Sequence, residues 1–189
     1  SIIGLRKRQW IQSSSNLVMK KLKIPKFKKY TPTWGTSEHI EVKENDVQKI
    51  FNFLNLQIPY SMESPSSQGG YDWDGKKLFF GRLNFAGVVH EICHWIISPP
   101  TRKKYPDFGL GRGFNSESNS KLRVKKEYAN NEEYIVCLLE YTILQNMRKI
   151  KEMQNAMKDA GFYESKECDE NYYKLLQNKN VKKHLKIIL

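Results

Sequence analysis

The run His90-Glu91-Ile92-Cys93-His94 limits what this chain can fold into more than any other segment does. The residues around it, from Phe85 to Ile97, are almost all apolar. A helix that is apolar on every side lies in a protein interior, so the sequence predicts a buried helix that carries two imidazoles and a carboxylate. Burial of polar groups without partners is costly, so these three groups need one another, other polar groups or a metal ion.

The spacing of the two imidazoles favours a metal ion. Residues four apart on a helix lie on the same side about one turn apart, so His90 and His94 can bind one ion, and Glu91 can act as the catalytic carboxylate on a bound water or substrate group. One divalent ion, Zn²⁺ or Fe²⁺, is therefore expected. The alternative interpretation is a pair of core histidines satisfied by hydrogen bonds, with Glu91 in a structural ion pair. A catalytic site needs a third protein ligand, for which His39 and His184 are the remaining imidazoles.

Carboxylates for the third ligand lie on a second predicted helix, from near Asn130 to as far as Gly161. Its apolar positions are Ile135, Val136, Leu139, Ile143, Met147 and Ile150. At 100° per residue, Glu132 shares the central direction of that stripe, whereas Glu133 and Glu140 lie about 80–100° away. We therefore expect Glu132 to be the third ligand, with Glu133 the second choice and Glu140 the third. All three could instead face solvent or stabilise the helix N-terminus.

The remaining elements indicate an α+β fold. Helical spacing is shown by Val47, Ile50, Phe51 and Leu54. A short strand is expected near Tyr60, and Asp74-Gly75 favours a hairpin between the flanking apolar residues. Asn84 is placed to cap the His-containing helix, which Pro99-Pro100 ends. The expected core is a small sheet or hairpin packed on this helix and on the second long helix.

The chain carries a net charge of +12, and its basic residues are concentrated at the ends. We predict a basic N-terminal arm over residues 1–37, a metal-binding domain over 38–160 and a basic helical extension over 161–189. Such charge attracts an acidic macromolecule such as a translation factor, the ribosome or nucleic acid, although it could equally be a solvated surface. The residues expected to form this partner surface are Arg6, Arg8, Lys20, Lys21 and Lys23.

The cysteines and the apolar segments indicate the cellular compartment in which the protein is expected. Three widely spaced cysteines match neither a disulfide framework nor a cysteine zinc site, which favours a reducing compartment. No apolar run approaches the roughly 18 residues that a membrane span needs. The first residues place apolar side chains before Arg6-Lys7-Arg8, the reverse of a secretory signal. We therefore expect a cytoplasmic protein that does not enter a membrane.

Several of these residues together resemble the elongation factor P hydroxylase family. The resemblance spans roughly residues 45 to 145 and is most specific from Val88 to Gly109, where His90-Glu91-Ile92-Cys93-His94-Trp95 is followed by Arg102 and by Asp107-Phe108-Gly109. It implies a zincin-like core, a His/His/carboxylate site like that of non-haem iron enzymes, and hydroxylation of a modified lysine on a translation factor. It also implies a substrate pocket lined by Arg102, Asp107 and Phe108.

Three functions remain open on these grounds. One is an oxygenase of this hydroxylase type, since two histidines and one carboxylate leave positions for oxygen on iron(II). Another is a zinc metallopeptidase in which Glu91 is the general base, because peptidases commonly carry this motif. The third is a non-enzymatic structural or nucleic-acid-associated protein that keeps the fold and uses its basic ends for binding.

Overall fold

The computed structural model describes residues 22–23, 39–65, 69–112, 118–153, 177–185 and 187–188. Its strands are β1 (Leu22–Lys23), β2 (Tyr60–Ser61), β3 (Leu78–Phe79) and β4 (Ile187–Ile188). Its helices are α1 (Glu44–Leu54), α2 (Phe85–Ile97), α3 (Pro100–Lys103), α4 (Lys126–Asn146) and α5 (Lys179–His184), with a 3₁₀ turn at Pro106–Gly109. The described part of the chain is therefore α+β, as predicted, and helices predominate.

The strands form two small parallel pairs, β1 with β4 and β2 with β3. The predicted hairpin at Asp74-Gly75 is also present, as an antiparallel bridge between Trp73 and Leu78. The Asp74 carboxylate accepts hydrogen bonds from the two backbone N–H groups of the turn that follows it, at 2.7 and 2.8 Å. Gly75 has a φ of 98°, a conformation that residues with a side chain rarely adopt. The turn chemistry read from the sequence thus sets the pairing next to the core.

Helix α2 forms where the sequence predicts it. Its N-cap is Asn84, whose side-chain oxygen accepts a hydrogen bond from the backbone N–H of Gly87 at 2.8 Å. The helix ends at Ser98, immediately before the two prolines. The residues that it buries are Phe85, Ala86, Val88, Val89, Ile92, Cys93, His94, Ile96 and Ile97. Its main packing partner is α4, and it also contacts α1 and α5.

Helix α4 differs from the prediction at both ends. It begins at Lys126, one turn early, and ends at Asn146, after which Arg148 takes a left-handed conformation with φ of 59°. The predicted helix is therefore interrupted here: residues 150–153 are helical again, and residues 154–161 lie outside the described residues. Ile150, expected on the buried stripe, is 70% exposed. The buried residues of α4 are Ala129, Glu132, Tyr134, Ile135, Val136, Cys137, Leu138, Leu139, Glu140, Thr142, Ile143 and Leu144. These residues lie on nearly all sides of the helix, so α4 is a central helix without a single inward face.

The described pieces of the predicted arm and extension both pack on the central body. β1 comes from the arm and β4 from the extension, and Leu22 is buried in the core. The backbone N–H and C=O of Lys23 bond the side chain of Asn146 at the end of α4, at 3.0 and 2.8 Å. Arg6, Arg8, Lys20 and Lys21 lie outside the described residues, so the three-part division and the partner surface stay predictions.

None of the helices in the described part of the chain is both long enough and apolar enough to span a membrane.

Removal of the α2 cap should weaken the fold measurably. We expect Asn84→Ala to lower the free energy of unfolding by about 1 kcal/mol, because the backbone N–H of Gly87 loses its acceptor. Urea denaturation monitored by circular dichroism measures this. Asn52→Ala, at an exposed position inside α1, is the control and should leave stability nearly unchanged. Equal stability of wild type and Asn84→Ala would show that the cap contributes nothing.

Candidate metal centre

Two helices bring the polar groups of the candidate site together. Helix α2 carries His90 and His94 on one side, one turn apart. Helix α4 carries Glu133, Cys137 and Glu140 at positions i, i+4 and i+7, which form one stripe along that helix. Because α2 and α4 pack directly against each other, the two sets of side chains meet between them.

Three atoms from these helices form a nearly equilateral triangle. The Nε2 atoms of His90 and His94 are 3.2 Å apart. One carboxylate oxygen of Glu133 lies 3.2 Å from His94 Nε2 and 3.5 Å from His90 Nε2. Ligand atoms about 2.1 Å from a common ion are about 3.4 Å apart in tetrahedral geometry and about 3.0 Å apart in octahedral geometry. The three atoms therefore have the spacing that one bound ion requires.

The carboxylate beside the two imidazoles is Glu133, the second choice, and not Glu132. Arg102 Nη2 donates to both carboxylate oxygens of Glu132, at 2.6 and 2.8 Å, and both side chains are buried. The preference for Glu132 assumed that the apolar stripe of α4 points at α2. Since α4 is buried on nearly all sides, the centre of that stripe does not identify the face that meets α2, and Glu132 points toward Arg102 instead.

Glu140 contacts the opposite nitrogen of the His90 ring. Its carboxylate lies 2.8 Å from His90 Nδ1, and the residue is 1% exposed. Burial disfavours the charged imidazolium, but hydrogen bonds with Cys137, Glu133 and Glu140 outweigh it and raise the pKa of His90 well above its usual value. Glu140, the third candidate for a ligand, thus contacts His90 on the side of the ring opposite Glu133.

Glu133 remains a carboxylate in these surroundings. Burial acts to raise its pKa, but the charges of His94 and His90 and the hydrogen bonds with them prevail and hold the pKa well below its usual range. An ionised carboxylate next to two imidazoles is a donor set that suits zinc or iron(II).

Glu91 lies among further acidic groups. Burial, Asp72, Glu133 and Asp107 raise its pKa well above the usual value, although His90 acts to lower it. Burial and Asp107 likewise raise the pKa of Asp72 to about 6. Acidic side chains therefore outnumber the two imidazoles around the site, and a cation placed there would reduce the cost of their burial.

His94 has an unusual combination of burial and missing contacts. It is 5% exposed, and within the described part of the chain its Nδ1 has no hydrogen-bond partner. One ring face stacks on Phe108 with centroids 6.0 Å apart, and Phe108 in turn stacks on Trp73 at 5.3 Å. The aromatic stack fixes the ring plane, so the Nε2 atom of His94 is held toward His90 and Glu133.

The residues predicted to line a substrate pocket make hydrogen bonds within the chain. The Asp107 carboxylate accepts hydrogen bonds from the backbone N–H of Asp72 at 3.0 Å and from the hydroxyls of Ser118 and Ser120 at 2.5 and 2.7 Å. Arg102 Nη1 donates to the carbonyl oxygen of Phe108 at 3.1 Å, and Phe108 is buried. Asp107 and Phe108 have left-handed φ values of 45° and 56°, and these bonds offset that strain. Their assignment as pocket-lining residues stays a prediction.

A nearby cavity of about 350 Å³ is lined by other residues: Tyr71, Tyr105, Pro106, Asn119, Ser120, Lys121 and Arg123. Sequence reasoning missed these residues, although Tyr105 and Pro106 immediately precede the Asp107 turn. The guanidinium of Arg123 lies 4.5 Å from the centroid of the Tyr105 ring. The cavity is thus bordered by aromatic and basic side chains.

The two remaining histidine candidates lie elsewhere. His39 Nε2 is 3.0 Å from the carbonyl oxygen of Arg82, and the His184 ring packs on Trp95 with centroids 4.8 Å apart. Neither belongs to a group of potential ligands in the described residues.

No family model, curated protein or solved structure matches this chain. The geometry of the site is therefore the main guide to its chemistry.

The different contacts of the two adjacent glutamates lead to opposite expectations for their variants. Glu132→Gln should lower the free energy of unfolding by about 3 kcal/mol, because Arg102 keeps a buried charge without its partner. It should bind Zn²⁺ as the wild type does. Glu133→Gln should lose more than about 100-fold in Zn²⁺ affinity, measured by chelator competition, because a neutral amide replaces the third ligand. Weakened binding by Glu132→Gln alone would contradict the assignment.

Proposed function

We propose that this chain is a metal-dependent enzyme with a zincin-like core, in which His90, His94 and Glu133 bind one divalent ion. The observation that carries the proposal is the triangle formed by two imidazole nitrogens and one carboxylate oxygen, with sides of 3.2 to 3.5 Å. The three donors come from two packed helices, which are more rigid supports than loops.

The way the two rings face each other favours an ion over core histidines satisfied by hydrogen bonds alone. The Nε2 atoms of His90 and His94 face each other, and a hydrogen bond between them would use only one N–H. An ion would use the lone pairs of both Nε2 atoms at once and would compensate the acidic groups around them.

More particularly, we propose an oxygenase similar to the elongation factor P hydroxylases, acting on a side chain of a protein. A donor set of two histidines and one carboxylate suits Fe²⁺, which would supply the chemistry with oxygen. His90, His94 and Glu133 would hold the ion, and Glu91 would hold a proton beside it. The residues of the resemblance, from Val88 to Gly109, support this choice. An acidic translation factor would fit the net charge of +12.

A zinc metallopeptidase is the second candidate, and Glu91 is the residue that favours it. Glu91 follows the ligand His90 along α2, and burial together with the charge of Asp72 raises its pKa well above the usual value, while the charge of His90 acts to lower it. A general base with a raised pKa can take a proton from water and pass it to a leaving amine.

Elemental analysis of the purified protein tests the shared part of both candidates. We expect about one zinc or iron per chain in the wild type and in His39→Ala, which removes an exposed histidine away from the site. His94→Ala should retain little or no metal, because two donors remain. Metal-free wild-type protein that also fails to take up added Zn²⁺ or Fe²⁺ would refute the enzyme proposal and leave the basic binding protein.

Glu91→Gln separates the two candidates. For the oxygenase, wild-type protein with Fe²⁺, oxygen and a two-electron reductant such as ascorbate should add one oxygen atom to the modified lysine of a translation factor, with the other atom released as water. Mass spectrometry detects the added oxygen, and Glu91→Gln should still bind Fe²⁺. For the peptidase, the zinc-loaded wild type should cleave peptides, and Glu91→Gln should lose about 10² to 10⁴-fold of that activity. Glu127→Gln, at an exposed position of α4, is the control in both assays.

A further inference from the structure

We propose that Glu140 is the positioning residue of the metal centre, which fixes the ring orientation and the proton position of His90. This inference rests on the proposed function, since it assigns a role beside the ion that His90, His94 and Glu133 would hold. Glu140 does not itself belong to the triangle of donors.

The contact that carries the inference is direct. The Glu140 carboxylate lies 2.8 Å from His90 Nδ1, a normal length for a hydrogen bond between an N–H and a carboxylate. With the proton on Nδ1, the lone pair of His90 is on Nε2, which is the atom that faces His94 and Glu133. Such outer carboxylates orient metal-binding imidazoles and increase their donor strength.

The arrangement of α4 lets one helix supply both the ligand and its support. Glu133 and Glu140 are seven residues apart, two turns and about 10 Å along the axis, and they contact opposite nitrogens of the same ring. Cys137 lies between them on the same stripe, and its Sγ atom is within 4.8 Å of a ring nitrogen of His90. A shift of α4 relative to α2 would disturb both nitrogens together, so the ligand and its orienting group are kept in register.

A structural ion pair and a positioning role give different results for a bound ion. Glu140 is 1% exposed and its carboxylate lies 2.8 Å from His90 Nδ1, so loss of the carboxylate should lower stability in either case. Only the positioning role also requires the geometry of the bound ion to change. The absorption spectrum of a bound ion is therefore the measurement that separates the two roles.

The experiment compares Glu140→Gln and Glu140→Leu with wild type, using Co²⁺ as the probe. Co²⁺ affinity is measured by chelator competition, and its visible absorption spectrum reports the ligand geometry. We expect about a 10-fold loss of affinity in Glu140→Gln, whose amide oxygen can still accept a hydrogen bond, and about 100-fold in Glu140→Leu. Both should show altered absorption bands. Glu127→Gln, on the exposed side of α4, is the matched control and should match wild type in affinity and spectrum.

Stability measurements and one ligand variant make the outcomes distinct. Urea unfolding of metal-free Glu140→Gln should show lower stability than wild type, because the buried His90 loses its charged partner, so Co²⁺ affinities are compared under conditions in which circular dichroism shows both proteins folded. His94→Ala tests the underlying proposal: if it binds Co²⁺ as wild type does, the proposed function fails. If His94→Ala loses binding while both Glu140 variants keep wild-type affinity and spectrum, only the positioning role is overturned. Two Co²⁺ ions per wild-type chain, with one lost in Glu140→Gln, would make Glu140 a ligand and would also overturn it.

Discussion

The packing of α2 against α4 is the contact on which the rest of this structure depends. Both helices bury apolar side chains in the core, and their packing also brings together His94, Glu133 and Glu140. An interface that were only apolar would be easier to form, since buried charges have to be compensated by partners. Here α2 provides the imidazoles and α4 provides the carboxylates that pair with them. The two helices are therefore joined by polar contacts as well as by apolar packing.

The sequence predicts α2 well because its signals are local. An apolar run between Asn84 and Pro99 defines its ends, and the i, i+4 spacing of His90 and His94 places both rings on one side. The third carboxylate could not be found in this way. Two neighbouring residues on α4, Glu132 and Glu133, point in directions 100° apart, and which direction meets α2 depends on tertiary packing around a helix that is buried on nearly all sides. The i, i+7 spacing of Glu133 and Glu140 was the available signal for a shared face.

The segment between α2 and α4 shows a second limit of local reasoning. The family resemblance implied that Arg102 and Asp107 line a substrate pocket. Their side chains close a strained turn: Asp107 bonds residues before and after it in the chain, and Arg102 joins that turn to Glu132 on α4. A polar residue near a reactive motif can bind substrate or stabilise a turn, and sequence alone does not separate these two roles. The contacts of the side chain show which groups it bonds. The same turn places Phe108 against the ring of His94.

These contacts connect the turn, the ion pair and the candidate site into one rigid unit. The His94 ring is held by Phe108 on one side of the site, and the His90 ring by Glu140 on the other. Rotation of either ring would break contacts that are buried and would not be replaced by water. The two Nε2 atoms are therefore kept close together, and one Glu133 carboxylate oxygen lies within 3.5 Å of both. In the proposed function the ion would bind these three atoms, and the supports from Phe108 and Glu140 would account for a donor set that is in place before the ion binds.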